Sequence, residues 1–134
     1  MSISDLKTHI LIVDDDSDFG RLMQINLEET GEFTCELATS AEAALKRLRE
    51  GGVDLVTIDV MMPEHSGGWL FNEIRADQAL AEVRVIVISA LVEKSPGQVL
   101  PKRDPMGVIS LWKPVDPDVL IGAIKAELQS LKSS

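Results

Sequence analysis

The stretch that decides the fold is Leu55-Val56-Thr57-Ile58-Asp59-Val60-Met61-Met62-Pro63, in which an apolar run ends abruptly in a carboxylate. Four apolar or β-branched residues before a single Asp predict a strand that is buried on both faces. Burying an isolated carboxylate costs several kcal/mol, so we expect Asp59 at the exit of the strand rather than inside it. In an open parallel sheet, ligands bind at the carboxyl ends of the strands. Asp59 is therefore the first candidate for chemistry.

The rest of the chain alternates strands with helices. Five strands are predicted, at residues 9–13, 33–38, 53–58, 83–88 and 108–112. Helices with apolar stripes follow the first three strands and the last one. This alternation indicates one α/β domain, a doubly wound parallel sheet with helices on both faces, that spans residues 1–134 with its core at about 8–131.

Local capping residues mark where the helices begin. Either Asp16 or Ser17 is expected to cap the first helix, and Asp116 the last. Thr39 is expected to cap the second helix, with Glu42 completing a capping box. Each of these caps lies within four residues after a predicted strand.

Composition narrows the class of protein. The 134 residues are 45% hydrophobic and 26% charged, and the net charge is −9. Such a charge repels a phosphate backbone, so direct nucleic-acid binding is not expected. The lone Cys35 fits a reducing compartment and, within an apolar run, a buried structural thiol. No signal peptide or apolar run of membrane-spanning length is found, so we expect a cytoplasmic protein without membrane insertion.

Four strand exits carry polar side chains that suit one reaction. These exits hold Asp14 with Asp15, then Asp59, Ser89 and Lys113, and right-handed crossovers bring them to one edge of the sheet. Gathered carboxylates repel each other, and a bound Mg²⁺ relieves that repulsion. A lysine and a hydroxyl both suit a phosphoryl group. Asp59 can then attack phosphorus and form an aspartyl phosphate.

Taken together, these motifs resemble the receiver domain of two-component response regulators over nearly the whole chain. The matching pieces are Ile10-Leu11-Ile12-Val13-Asp14-Asp15-Asp16, Ile58-Asp59-Val60-Met61-Met62-Pro63 with Gly67, Val87-Ile88-Ser89-Ala90, and Lys113-Pro114. The resemblance implies a CheY-like, flavodoxin-like sheet of five strands in the order 2-1-3-4-5. It also implies a bacterial-type signalling switch rather than a turnover enzyme.

The same resemblance implies a role for each motif residue. Asp59 would accept a phosphoryl group from a phosphohistidine on a histidine kinase or a phosphotransfer protein. Asp15 would bind Mg²⁺ (or Mn²⁺) directly, Asp14 mostly through metal-bound water, and the backbone carbonyl of Met61 would be a further ligand.

The phosphoryl group itself would be held by two more residues. Ser89 would hydrogen-bond it and Lys113 would pair with it. A downstream effector protein or effector domain would then respond, with the receiver as a monomer or a weak phosphorylation-dependent dimer.

Two departures from the family pattern concern the output surface. Ser110 replaces the aromatic residue that receivers usually carry three positions before the lysine. Trp112 shares a strand face with Ser110, so it either takes over that role or packs statically against the last helix. The preceding segment, residues 91–106, contains three prolines, so the fourth helix of the family is expected to be short or irregular.

Other interpretations of these residues stay open from the sequence. Asp14 to Asp18 alone is typical of a solvated helix cap. Read as Asp-x-Asp, the same run suits a small haloacid-dehalogenase-type phosphatase, although Asp18 stands where that family needs Thr or Val. A pseudo-receiver that binds partners without phosphorylation is the third possibility. His9 and His65 show no ligand spacing and are expected at the surface.

Overall fold

The computed structural model describes residues 7–59, 67–89, 102–103, 109–112 and 116–132. The strands in this part of the chain are β1 (Thr8–Val13), β2 (Phe33–Ala38), β3 (Leu55–Asp59), β4 (Arg84–Ser89), β5 (Lys102–Arg103) and β6 (Ile109–Trp112). The helices are α1 (Ser17–Glu28), α2 (Ala41–Arg49), α3 (Gly67–Ala76), a single 3₁₀ turn (Gln78–Leu80) and α4 (Pro117–Lys132).

The sheet has the strand order β2-β1-β3-β4-β6-β5. All neighbouring pairs are parallel except the last, in which β5 runs antiparallel to β6. The five predicted strands therefore take the predicted order 2-1-3-4-5, since the fifth of them is β6. The doubly wound α/β fold is confirmed.

The prediction of five strands is corrected to six for the described residues. Lys102 pairs with Ser110 and Arg103 with Ile109, which adds a two-residue strand at the edge of the sheet. This strand lies within the proline-containing segment where a short or irregular helix was expected. The other residues of that segment, apart from Lys102 and Arg103, lie outside the described part.

Alternation along β1 divides the core into two layers. Leu11 and Val13 face the layer that contains α2 and α3, whereas Ile10 and Ile12 face the layer that contains α1 and α4. Burying each such side chain contributes about 1.5–3 kcal/mol. β3 lies between β1 and β4 and is buried along its whole length, as its apolar run predicts.

The helix caps follow the sequence with one correction. Asp16 caps α1, as one of the two residues predicted there. Ser40, and not Thr39, caps α2, because its extended backbone (φ −144°, ψ 155°) directs its hydroxyl to the Ala43 N–H at 3.1 Å. Asp116 accepts the Asp118 N–H at 2.8 Å at the start of α4.

Side chains of α1 cover the outer edge of β2. The Cys35 N–H donates to the Glu28 carboxylate at 3.1 Å, and the Gln24 amide donates to the Cys35 carbonyl at 3.1 Å. The Cys35 thiol is buried, and burial, with a smaller effect of the Glu28 charge, raises its pKa to about 12. The prediction of a buried structural thiol is confirmed, since this thiol stays protonated at neutral pH.

His9 differs from the prediction of a surface residue. Its side chain is only 20% exposed, and its ring contacts the Thr34 hydroxyl at 2.6 Å and the Glu36 carboxylate. Arg47 of α2 donates from Nε to both Glu36 oxygens at 3.0 and 2.9 Å. The Arg47 hydrogen bonds, followed by the His9 contact, lower the pKa of Glu36 below its usual value. His65 lies outside the described residues.

Candidate functional site

Three predicted site residues meet at the carboxyl edge of the sheet. Asp14 follows the last residue of β1, Asp59 is the last residue of β3, and these two strands are neighbours in register. One ligand oxygen each from Asp14, Asp15 and Asp59 lie within 4.8 Å of one another. Asp14 is 2% and Asp59 3% exposed, whereas Asp15 is exposed to solvent. The gathering of these carboxylates was correctly predicted, and so was the place of Asp59 at the strand exit.

Two backbone hydrogen bonds hold Asp14 in place. Its own N–H donates to the Ala38 carbonyl at 3.0 Å, which continues the pairing of β1 with β2 beyond the last residue of the strand. Its Oδ1 accepts the Asp16 N–H at 2.9 Å. Hydrogen bonds to a carboxylate favour its charged form, so this contact suits a residue that serves as an anion.

The acidic cluster has the chemistry of a hard-cation site. Carboxylate oxygens are the ligands that Mg²⁺ prefers in proteins, and it keeps further positions for water or phosphoryl oxygens. Because two of the three carboxylates are buried, their mutual repulsion is only weakly screened by solvent. A divalent cation bound here would offset that repulsion, so the donor set fits the group that the sequence predicts.

For the other predicted site residues, the structure describes either the backbone alone or nothing. Asp59 pairs with Ile88, so Ser89, the final residue of β4, lies one position further toward the same edge. Ser89 in turn pairs with Trp112 of β6. The side chains of Ser89, Ser110 and Trp112 lie outside what the structure describes, as do residues Met61 and Lys113. Their roles stay predictions.

Thr57 is a feature that the sequence alone did not single out. It lies on β3 two residues before Asp59 and is 1% exposed. Its hydroxyl has no hydrogen-bond partner among the residues that the structure describes. One signal in the sequence could have identified Thr57. It is a hydroxyl residue within an apolar run that is predicted to be buried on both faces, where few hydrogen-bond acceptors are available.

The fold defines an α/β protein of the doubly wound class, and the site is a carboxylate cluster at the strand ends. Within this class, the family model of the response regulator receiver domain matches residues 10–125. The chain belongs to this family, whose members are phosphoacceptor switches of two-component signalling. Among residues 7–59, 67–89, 102–103, 109–112 and 116–132, no helix has the length and hydrophobicity to cross a membrane.

Two curated relatives show how widely this domain is used. The probable transcriptional regulator ycf27 of Cyanidium caldarium is 28% identical over 125 residues, which are 93% of this chain and 48% of that protein. The probable cyclic di-GMP phosphodiesterase of Vibrio cholerae is 30% identical over 99% of this chain and 30% of its own length. The chain therefore spans half or less of the length of these two relatives.

Solved structures support the same fold. A sensor protein from Polaromonas sp. JS666 superposes with a TM-score of 0.79 at 27% identity, covering 93% of this chain and 98% of that one. The family match favours a receiver over the haloacid-dehalogenase-type phosphatase that the Asp run also allowed.

Proposed function

We propose that Asp59 is the phosphoacceptor of this receiver, in a single domain of residues 1–134 with its core at about 8–131. The observation that carries the proposal is the burial of Asp59 at the end of β3 with its oxygen within 4.8 Å of those of Asp14 and Asp15. A carboxylate oxygen of Asp59 attacks the phosphorus of a phosphohistidine. The bond from phosphorus to the donor nitrogen breaks, and the imidazole leaves.

Mg²⁺ would be held by Asp14, Asp15, Asp59 and the Met61 carbonyl. Mn²⁺ suits the same oxygen ligands. The ion, when bound, supplies positive charge to the phosphoryl oxygens during transfer. The chain itself contributes orientation, because the buried strand ends fix two of the carboxylates.

Ser89 and Lys113 complete the proposed site. Ser89 is the last residue of β4, the strand beside the one that carries Asp59. Its hydroxyl would donate a hydrogen bond to the phosphoryl group. Lys113 directly follows β6 and would pair with the phosphoryl charge.

The partner that donates the phosphoryl group is, in this proposal, a histidine kinase or a histidine phosphotransfer protein. α1 begins three residues after Asp14, and its Leu22 and Ile25 are 58% and 49% exposed. Two large apolar side chains one turn apart on a helix beside the site suit a protein partner. Replacing both with Ser is expected to slow transfer from a phosphohistidine donor and leave labelling by acetyl phosphate unchanged.

The proposed signal from the phosphorylated site to an effector passes through β6. Ser110 and Trp112 both lie on this strand, next to β4 and the end that carries Ser89. Trp112 would change surroundings on phosphorylation and signal to an effector protein or effector domain. In a Trp69→Phe background, its fluorescence should respond to a beryllofluoride phosphate mimic; no response would leave Trp112 a static packing residue.

In this proposal the chain acts as a self-modifying switch and not as a turnover enzyme. It works in the cytoplasm, as a monomer or as a weak phosphorylation-dependent dimer. It contacts neither nucleic acid nor a membrane directly, in keeping with its net charge of −9.

The test is incubation with acetyl phosphate and Mg²⁺ followed by intact mass measurement. We expect one phosphoryl adduct that is stable in acid, labile in alkali and lost in Asp59→Asn. Continuous turnover of a generic phosphomonoester would instead indicate a phosphatase. Absence of any adduct would indicate a pseudo-receiver and contradict the proposal.

A further inference from the structure

Three consecutive aspartates follow β1, and their side chains have different surroundings in the structure. We propose that Asp16 is a positioning residue that orients Asp14 through a backbone hydrogen bond and is not itself a metal ligand. This inference deepens the proposed function, since Asp14 matters here as a residue of the metal site.

The side chain of Asp16 is directed to the helix that follows it. Its Oδ1 accepts the N–H groups of Asp18 and Phe19, each at 3.1 Å, and its carbonyl accepts the Gly20 N–H at 3.0 Å. Its backbone is extended (φ −85°, ψ 98°), as is usual for a helix cap. The negative charge of Asp16 thus lies at the positive end of the α1 dipole, where it stabilises the helix.

The backbone of the same residue is directed to the site. The Asp16 N–H donates to Asp14 Oδ1 at 2.9 Å, while the Asp14 N–H donates to the Ala38 carbonyl at 3.0 Å. Asp14 is therefore fixed from two sides, by β2 through its main chain and by the start of α1 through its carboxylate. The cap on α1 and the orientation of a site carboxylate depend on one residue.

The cluster geometry agrees with this division of tasks. The carboxylates that come within 4.8 Å of one another belong to Asp14, Asp15 and Asp59, and Asp16 is absent from that group. A fourth negative charge among them would increase the repulsion without adding a needed ligand. Residues that orient metal ligands affect metal affinity although they never touch the ion.

The experiment compares Asp16→Ala, Asp16→Asn and a matched control, Asp18→Asn, which removes one exposed acidic charge from the same turn. Mg²⁺ affinity is measured by calorimetry on the full chain. Asp16→Ala keeps the backbone N–H but removes the cap that holds it in place, so we expect this variant to weaken Mg²⁺ binding about tenfold. Asp16→Asn should restore the affinity, because Asn caps a helix as well as Asp does. The control should match the wild-type protein.

Two results would overturn the inference. If Asp16→Asn weakened Mg²⁺ binding as much as Asp16→Ala, the charge of Asp16 would be acting on the ion directly. If Asp16→Ala bound Mg²⁺ normally, the Asp16 side chain would have no role in orienting Asp14.

A second readout works in the absence of metal. The Asp16 amide should exchange slowly with solvent in the metal-free protein and faster in Asp14→Ala, measured by NMR. Failure of the wild-type chain to bind Mg²⁺ would count against the proposed function, whereas a rapidly exchanging Asp16 amide would count against the positioning contact.

Discussion

Acidic residues are used in opposite ways at the two ends of the sheet. At the carboxyl end, which we call the acidic edge, Asp14, Asp15 and Asp59 bring their oxygens within 4.8 Å of one another. The second region lies nearer the amino end and consists of His9, Glu36, Arg47 and Asp54; we call it the paired edge. Its acids contact donors from neighbouring strands and helices. Glu36 accepts from Arg47 and contacts His9, and Asp54 accepts the His9 N–H at 2.8 Å.

The difference separates acids that stabilise the fold from acids that belong to the proposed phosphorylation site. Charge pairs at the paired edge connect β1, β2 and α2, so they stabilise the folded state. Like charges at the acidic edge oppose folding, and they persist where a ligand makes use of them. Substitutions at the two edges should therefore change stability in opposite directions.

The largest expected effect is a gain of stability when the acidic edge loses a charge. In metal-free buffer, Asp59→Asn should raise the free energy of unfolding by about 2 kcal/mol, since one of three close carboxylates becomes neutral. Urea unfolding with a chelator present measures this. Glu82→Gln removes an exposed acid elsewhere and should change little. A less stable Asp59→Asn protein would mean that repulsion does not dominate at this edge.

The next effect is a loss of stability at the paired edge. Arg47→Met removes the donor to Glu36 and a hydrogen bond to the Gly51 carbonyl at 2.7 Å while keeping much of the side-chain volume. We expect a loss of about 1–2 kcal/mol in the same urea experiment. Lys46→Met, at the exposed residue that precedes Arg47 in α2, is the matched control. Equal losses from the two variants would rule out a specific role for the pair.

One substitution made at two threonines sharpens the comparison further. Thr57→Val, under the acidic edge, should stabilise the protein by about 1 kcal/mol, because it removes a buried hydroxyl that has no partner among the described residues. Thr34→Val should destabilise it, because that hydroxyl contacts His9 Nδ1 at 2.6 Å. Thermal unfolding of both variants shows whether each substitution raises or lowers the stability of the protein. A loss of stability in Thr57→Val would show that the hydroxyl has an acceptor.

The smallest expected effect is on the pH dependence of stability. The pKa of Glu36 is lowered by Arg47 and then by His9, so its contribution is present above the unfolded glutamate pKa of about 4.3. That contribution is lost as the pH falls through the lowered pKa of the folded state. The difference in unfolding free energy between wild type and Glu36→Gln should thus shrink from pH 6 toward pH 3. A constant difference would contradict the pairing.

Much of this arrangement could be predicted because its signals are local. Apolar runs that end in a carboxylate identified β1 and β3, and alternation with helices then fixed the edge at which Asp14 and Asp59 meet. The choice between Thr39 and Ser40 as a cap depends on backbone angles that two equally suitable hydroxyl residues do not reveal.

Features that depend on distant partners were missed. His9 is covered by Thr34 and Glu36, which lie 25 and 27 residues away, so its sequence neighbours gave no sign of burial. The short strand β5 likewise depends on its pairing with β6. The sequence left Asp16 and Ser17 open as the cap of α1, and only the backbone showed that Asp16 fills this position.

The most direct test of the central claim is to locate the phosphoryl group itself. After reaction with acetyl phosphate and Mg²⁺, borohydride reduces an aspartyl phosphate to homoserine, which peptide mass spectrometry assigns to a position. We predict homoserine at position 59 alone, and none when Mg²⁺ is omitted. Homoserine at position 14 or 15, or a phosphoryl group on a serine or histidine, would contradict the assignment of Asp59 as the phosphoacceptor.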